Sequence, residues 1–246
     1  MKRWLAVVLL FVGNGSGWAG EVSVAVAANF GATFERLADR FTEKTGHKVA
    51  TSFGSTGALY AQIMNGAPYE LFLSADAERP EKLVLQGKAL AATRIRYAVG
   101  RLVLWSSNPS YIYSEGGVLK KGLAGRVAIA NPETAPYGLA AQQTLIQLNQ
   151  WRGLQKTLIR GQNIAQAFQF AISGSADSAF IALAQIKQAE WTGKGSYWLV
   201  PATLHNPIEQ QMVVLETGKK NPVATQLWQF IGSAEGRKII SDGGYE

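Results

Sequence analysis

The sequence predicts an α/β protein made of two doubly wound α/β lobes joined by two crossover segments, and three observations carry that expectation. Strand-length apolar runs alternate with helical patterns. The alternation stops and restarts near the middle of the chain. The length, 246 residues or about 226 without the first twenty, is long for one core and comfortable for two. A β-α-β-α-β order implies a mostly parallel sheet covered by helices on both sides, and two such lobes with two crossings form a hinged clam with a cleft between them.

The first series opens with Glu21 to Ala27 (EVSVAVA), β-rich, followed by a helix over Ala32 to Lys44 whose Phe34, Leu37, Ala38 and Phe41 share one face. Lys48 to Phe53 is the next strand. Ala58 to Asn65 is helical, with Leu59 and Ile63 four apart, and Glu70 to Ser74 (ELFLS) with a helix from Arg79 to Gln86 completes the series. Arg96 to Trp105 (RYAVGRLVLW) is apolar and long enough to run out of one lobe into the other. The second series then reads strand Arg126 to Ala130, helix Leu139 to Asn149, short strand Thr157 to Ile159, helix Ile164 to Ile172 and strand Ser178 to Leu183. On its second helix Ile164, Ala167, Phe168, Ala171 and Ile172 form an apolar stripe. Glu209 to Glu216 (EQQMVVLE) reads as the return crossing. C-terminal helices are expected from Asn221-Pro222, where Asn caps and Pro fits the first turn, and from near Ser233, both packing on the first lobe. The expected division is residues 1–20 as a signal peptide, 21–100 with 208–246 as lobe I, and 101–207 as lobe II.

Lys2-Arg3, the apolar run Trp4 to Val12 and the small-residue stretch Gly13 to Ala19 have the layout of a secretory leader. That apolar run is too short to span a bilayer, which takes roughly 20 residues, so a soluble periplasmic protein starting near Gly20 is expected. With 47% hydrophobic and 17% charged residues the composition is globular. There is no Cys, which removes acylated anchors, disulfides, thiolate metal sites and Cys nucleophiles. Without Lys2 and Arg3 the balance is 22 basic to 17 acidic residues, a net charge of +5. The doublets Lys120-Lys121 and Lys219-Lys220 are far apart beside glycines, so nucleic acid is not an expected partner, although a positive field helps to collect anions. His47 and His205 sit in turns without a nucleophile motif or metal-ligand spacing, which disfavours a zinc site or a Ser-His-Asp hydrolase. Asp76 and Asp177 read as turn formers or hinge-closing partners.

In parallel α/β lobes, ligands sit beyond the carboxyl ends of the strands, where helix N-termini present unpaired N–H groups. Four loops fit. Ala28-Asn29-Phe30 follows the first strand, and its Asn is equally suited to cap its own helix. Phe53-Gly54-Ser55-Thr56-Gly57 combines small residues with two uncharged hydroxyl donors, and it is neither a P-loop nor a nucleophile elbow. Asn131 to Gly138 (NPETAPYG) uses two prolines to aim Tyr137, whose O–H could meet an oxyanion. Gly161-Gln162-Asn163-Ile164 opens the striped helix; the Ile164 side chain suits a core, and its backbone N–H is free in either case.

Together the runs AVAANF (25–30), FGSTGALYAQIMNGAPYELFLSAD (53–76), YAVGRLVLW (97–105), ANPETAPYG (130–138) and ADSAFIAL (176–183) resemble the periplasmic molybdate-binding proteins of bacterial ABC importers, from about residue 21 to the end. The resemblance implies a type II periplasmic-binding-protein fold and a non-enzyme without cofactor. It implies molybdate or tungstate held between the lobes, the molybdenum as its oxyanion, with no counter-cation. It also implies a monomer whose partner is the membrane permease of an ABC importer. Carried over residue by residue, the ligand contacts fall on Ala28, Asn29, Ser55, Tyr137 and Ile164. Some relatives carry a tyrosine where this chain has Ala182 and a small residue where it has Tyr137, so the chain resembles the subgroup whose tyrosine comes from the Pro-Tyr-Gly loop. Sulfate or another tetrahedral oxyanion is the alternative ligand. Outside this class stand a secreted hydrolase and an anion-sensing partner of a membrane receptor.

Overall fold

The computed structural model describes residues 19–113 and 125–246. The leader expected over 1–20 lies outside these residues apart from Ala19 and Gly20, and so does the Lys120-Lys121 doublet. The elements run in chain order as β1 (Glu21–Ala27), α1 (Gly31–Thr45), β2 (Lys48–Gly54), α2 (Thr56–Met64), β3 (Leu71–Ser74), α3 (Glu78–Leu85) and β4 (Ile95–Gly100). They continue with β5 (Leu102–Ser106), β6 (Val127–Ala130), α4 (Pro136–Gln147), α5 (Trp151–Leu154), β7 (Leu158–Gly161), α6 (Ile164–Ile172), β8 (Ser178–Ala182), α7 (Leu183–Ile186) and β9 (Ser196–Leu199). β10 (Ile208–Val214), α8 (Pro222–Gly232) and α9 (Ala234–Asp242) close the chain.

Two five-stranded sheets result, ordered β2-β1-β3-β10-β4 and β7-β6-β8-β5-β9. Each is mixed. In the first, β1 pairs in parallel with β2 and β3, whereas β10 is antiparallel to β3 and β4. In the second, β6 is parallel to β7 and β8, and β5 is antiparallel to β8 and β9. The inverted strand is in each case the one that arrives from the other lobe. A chain coming across the cleft enters the sheet at the end where the parallel strands finish, so it must run against them. The expected mostly parallel sheet therefore holds for four strands of each five, with a return strand inserted.

The stretch from Arg96 to Trp105 passes from one sheet into the other as two strands. β4 ends at Gly100 in the first sheet and β5 begins at Leu102 in the second, with Arg101 between them. The return crossing precedes β10, and EQQMVVLE is mostly a strand of the first sheet. The sequence reading omits α5, α7 and β9; the two helices are four residues each, and β9 (SYWL) is an edge strand with a weak burial alternation, which leaves little periodicity to read.

Period-2 alternation buries both faces of each sheet. On the first, Val22, Val24, Val26, Leu71, Leu73, Met212 and Val214 meet Phe34, Leu37 and Phe41 of α1 and Leu227 and Ile231 of α8. Ala25, Phe72 and Val213 face the other way, towards Leu59 and Ile63 of α2 and Leu83 of α3. On the second sheet Leu102, Leu104, Val127, Ile129 and Phe180 meet α4, and Val103, Trp105, Ala128 and Ile181 meet Ala167, Phe168 and Ala171 of α6. Trp105, Phe168 and Trp191 pack edge to face with centroids 5.1 to 5.9 Å apart. The C-terminal helices cover the first sheet as expected; Asn221 and Ser233 cap them, accepting from the N–H groups of Val223 and Gly236.

Gly138 lets the first turn of α4 sit directly on the end of β6. A Cβ there would lie 2.3 Å from the Ala130 carbonyl oxygen, and backbone cannot yield as a side chain does. Gly153 in α5 has nothing within 4 Å of its would-be Cβ. Gly138→Ala is expected to destabilise by about 1 to 3 kcal/mol through overpacking, and Gly153→Ala to stabilise by about 0.4 to 1 kcal/mol; urea unfolding of the two variants, showing opposite signs, checks this.

Candidate functional site

All four sequence-selected loops meet at one cavity. Its wall is Ala27, Ala28, Asn29, Gly54, Ser55, Thr56 and Ala75 from the side of the first sheet, and Ala135, Pro136, Tyr137, Asn163 and Ile164 from the side of the second. Every one of these residues lies at or just beyond the carboxyl end of a strand: β1, β2, β3, β6 or β7. Among the described residues no charged side chain lines it. The interior space is about 10 Å³, the scale of one small guest and far below the roughly 300 Å³ at which pockets for organic ligands begin.

Each loop builds its part differently. Residues Ala28–Phe30 form a turn of 3-10 helix leading into α1, and no side chain caps either helix. Asn29 is therefore not the cap that its residue type suggests. Its Nδ2 donates instead to Gln210 Oε1 at 2.8 Å and to Tyr245 Oη at 3.3 Å, while the Tyr245 hydroxyl donates to the Asn29 carbonyl at 2.6 Å. With the side chain turned away, the backbone N–H groups of Ala28 and Asn29 are what this loop can offer a guest.

Ser55 is the N-cap of α2, where Oγ accepts from the Ala58 N–H at a long 3.4 Å. Capping uses a lone pair of the hydroxyl and leaves its proton free. Ser55 can thus cap its helix and donate into the cavity at once. Thr56, the second hydroxyl of this loop and not among the ligand contacts the resemblance implies, is buried here; its Oγ1 accepts from the Ala75 N–H at 3.0 Å, again with a proton to spare.

The third loop starts α4 with Pro136 in the first turn, the ring supplying the helical φ in advance. Tyr137 follows, and its N–H lies among the first of the helix, which have no acceptor within it. Its side chain is 1% exposed, and the hydroxyl is turned towards the hinge rather than into the open space: a Cβ on Gly100 would lie 2.1 Å from Tyr137 Oη and 3.0 Å from Gln210 Nε2. Neither Tyr137 Oη nor Gln210 Nε2 has a partner in good hydrogen-bond geometry. Burial raises the Tyr137 phenol well above the ordinary tyrosine value; Tyr245 and Tyr97 add to the rise, and Gln210 and Asn29 offset part of it. Tyr97 is raised for the same leading reason. The tyrosines around the hinge are therefore neutral donors.

In the fourth loop Asn163 caps α6, accepting from the Gln166 N–H at 3.0 Å, and Gln166 Oε1 accepts from the Gln162 N–H at 2.6 Å. This reciprocal cap sets the helix start. The Ile164 side chain belongs to the core, 3% exposed, and its N–H is the first of the helix.

Two hydrogen bonds close the lobes over this space. The Gly57 N–H of α2 donates to the Thr134 carbonyl at 2.8 Å. Arg79, ion-paired with Asp76, donates through Nη2 to the Glu133 carbonyl at 3.1 Å. Asp76 also accepts from the Arg79 N–H at 3.0 Å, so it shapes its own turn and orients the arginine. Asp177 is a turn partner, accepting from the Arg126 N–H at 2.6 Å. Neither histidine lines the cavity: His47 Nδ1 accepts from the Gly20 N–H at 3.0 Å, and His205 Nδ1 lies 2.7 Å from the Asn206 carbonyl. Among the described residues no group of three or more His, Asp or Glu side chains could hold a metal ion.

Comparison with known proteins follows the same line. The family described as bacterial extracellular solute-binding protein matches residues 22–246. The molybdate-binding protein ModA of Azotobacter vinelandii is 48% identical over 228 residues, covering 92% of this chain and 90% of that protein. ModA of Rhodobacter capsulatus is 44% identical over 227 residues, covering 92% and 88%. The solved structure of the Azotobacter vinelandii periplasmic molybdate-binding protein superposes with a TM-score of 0.88 at 42% identity, covering 92% of this chain and 98% of that one. A neutral cavity between two α/β lobes and a match over nearly the whole chain agree, and the protein belongs to the bacterial extracellular solute-binding protein family.

Proposed function

We propose that this protein captures molybdate, and tungstate with similar affinity, between its lobes in the periplasm and delivers it as a monomer to the membrane permease of an ABC importer. Residues 21–100 with 208–246 act as one lobe and 101–207 as the other, and residues 1–20 are the export leader. The observation that carries the reading is the convergence of four helix N-terminal regions on a small cavity with no charged side chain. A buried dianion needs many donors, and charge-assisted hydrogen bonds contribute about 1.5 to 3 kcal/mol each. The identity to the two molybdate-binding relatives supports the choice of ion.

The ligand would take the backbone N–H groups of Ala28, Asn29, Tyr137 and Ile164 and the Ser55 hydroxyl. Donor-only walls select the fully deprotonated ion, because a protonated oxygen would place its own O–H against a donor. Molybdenum is held only through the oxygens of the oxyanion, and the cargo needs no resident metal.

Calorimetry decides the ion. Mo–O and W–O bonds are nearly equal in length and longer than S–O, so fixed donors discriminate by distance. Tungstate is expected within about tenfold of molybdate. Sulfate should be weaker by at least about a thousandfold, since several stretched bonds at about 1 kcal/mol each accumulate. Bound ligand adds about 2.7 kcal/mol of stability at a hundredfold excess over Kd, so melting rises with molybdate and not with equimolar sulfate. Equal affinity for sulfate would reassign the protein to sulfate uptake.

Ser55→Ala removes a hydroxyl donor and is expected to weaken binding about tenfold to a hundredfold. Ile164→Val keeps the N–H and should change little. Tyr137→Phe also keeps its N–H, and because the lost hydroxyl faces Gly100, affinity should stay within about threefold of wild type. A large loss at Tyr137→Phe would place the phenol on the ligand instead.

Affinity should be flat from about pH 6 to 9. Among the described residues no His, Lys, Arg, Asp or Glu lines the cavity, and the titratable residue of its wall, Tyr137, is raised further from this window by burial. Titrations at both limits check it; a tenfold change between them would reveal a titrating group in the site.

A further inference from the structure

Tyr245, the penultimate residue, lies 216 positions from the first anion loop in sequence and touches it directly. Its ring is 5% exposed and packs edge to face on Phe30 with centroids 5.1 Å apart. Its hydroxyl donates to the Asn29 carbonyl at 2.6 Å and accepts from Asn29 Nδ2 at 3.3 Å. The chain end is itself tied down. Glu246 exchanges two backbone hydrogen bonds with Val99 of β4, at 2.6 and 3.1 Å, and its carboxylate accepts from Arg101 at 2.6 Å.

We propose that Tyr245 is a positioning residue for oxyanion binding, holding Asn29 so that the Ala28–Asn29 N–H groups point into the cavity. The inference rests on the reading of that cavity as the oxyanion site. Loop 28–30 has no side-chain cap of its own, so something else must fix its direction. The Asn29 N–H shares a peptide plane with the Ala28 carbonyl, and its direction follows the position of the Asn29 Cα and the rotation about the N–Cα bond. Here one phenol grips both the carbonyl and the side-chain amide of Asn29, and Gln210 holds the same amide at 2.8 Å. Holding two of the groups on the Asn29 Cα places its nitrogen and narrows the rotation left to the N–H. Burial raises the Tyr245 phenol, so it stays a neutral donor in this role. Because Val99 and Arg101 flank the crossing from β4 to β5, the same two C-terminal residues also tie the loop to the hinge.

The test is Tyr245→Phe, which keeps the ring and its contact with Phe30 and deletes only the hydroxyl. Molybdate affinity, measured by calorimetry beside wild type and Ser55→Ala, is expected to fall about fivefold to tenfold. Hydrogen exchange of residues 28–31 in the ligand-free protein should quicken, and that of α8 should not. A structural role alone would lower the melting temperature and leave the affinity of the folded protein unchanged, so affinity within twofold of wild type overturns the inference. Absence of molybdate binding by wild type would instead overturn the ligand reading, which keeps the two failures distinct. Gln210→Ala supplies an independent variant: it removes the other grip on the Asn29 amide, and unchanged affinity in both variants shows that the loop needs no support from behind.

Discussion

Under the proposed function, a negative charge taken out of water without a counter-cation is met by oriented N–H and O–H dipoles, and helices of both lobes begin where such dipoles would face the cavity. Five of its strands, β1, β2 and β3 in one sheet and β6 and β7 in the other, finish at the same cavity, and each is followed by a turn that starts a helix. The two sheets repeat one topology, 2-1-3 plus a return strand and an edge strand. The repetition sets two such faces opposite each other. The return strands are part of the same solution, because a chain that crosses twice near one point leaves a hinge there and a cleft beyond it.

Both hydrogen bonds that close the lobes end on main-chain carbonyls. The Gly57 N–H and the Thr134 carbonyl meet directly, and a Cβ on Gly57 would lie 3.0 Å from Thr134 Cα and 3.1 Å from its carbonyl oxygen. Glycine therefore serves this approach of two backbones, not an unusual φ angle. Arg79 reaches across from its pairing with Asp76 to another carbonyl. The pair keeps the cation at the rim, where it cannot act as a counter-ion inside.

Behind the cavity, Asn29, Tyr97, Tyr137, Gln210 and Tyr245 form a buried polar cluster in which every ionisable group is neutral. Burial raises all three phenols. A tyrosine raised above its unfolded value stabilises the folded state at pH below about 10 and loses that contribution as pH climbs past it, so the cluster keeps its contribution through neutral pH. Gly100 fits the same cluster, since only a residue without a Cβ accommodates the Tyr137 hydroxyl.

Much of this was legible in the chain alone. The strands of the first series, the stripe on α6, the cap at Asn221, the helix start near Ser233 and the four loops rest on residues a few positions apart, whose physics is local periodicity and capping. What local pattern did not disclose was the inverted place of β5 and β10, the edge strand β9, the true partner of the Asn29 side chain and the direction of the Tyr137 hydroxyl. Each of these depends on groups brought together from distant positions: Asn29 on Gln210 and Tyr245, 181 and 216 residues away, and Tyr137 on Gly100 and Gln210. The sequence by itself determined which loops carry uncharged donors at helix starts, because helix N-termini and small residues are chemically marked. Only the tertiary structure decided which atoms of those loops face the cavity, because a side chain such as that of Asn29 turns to whichever buried partner the rest of the fold presents.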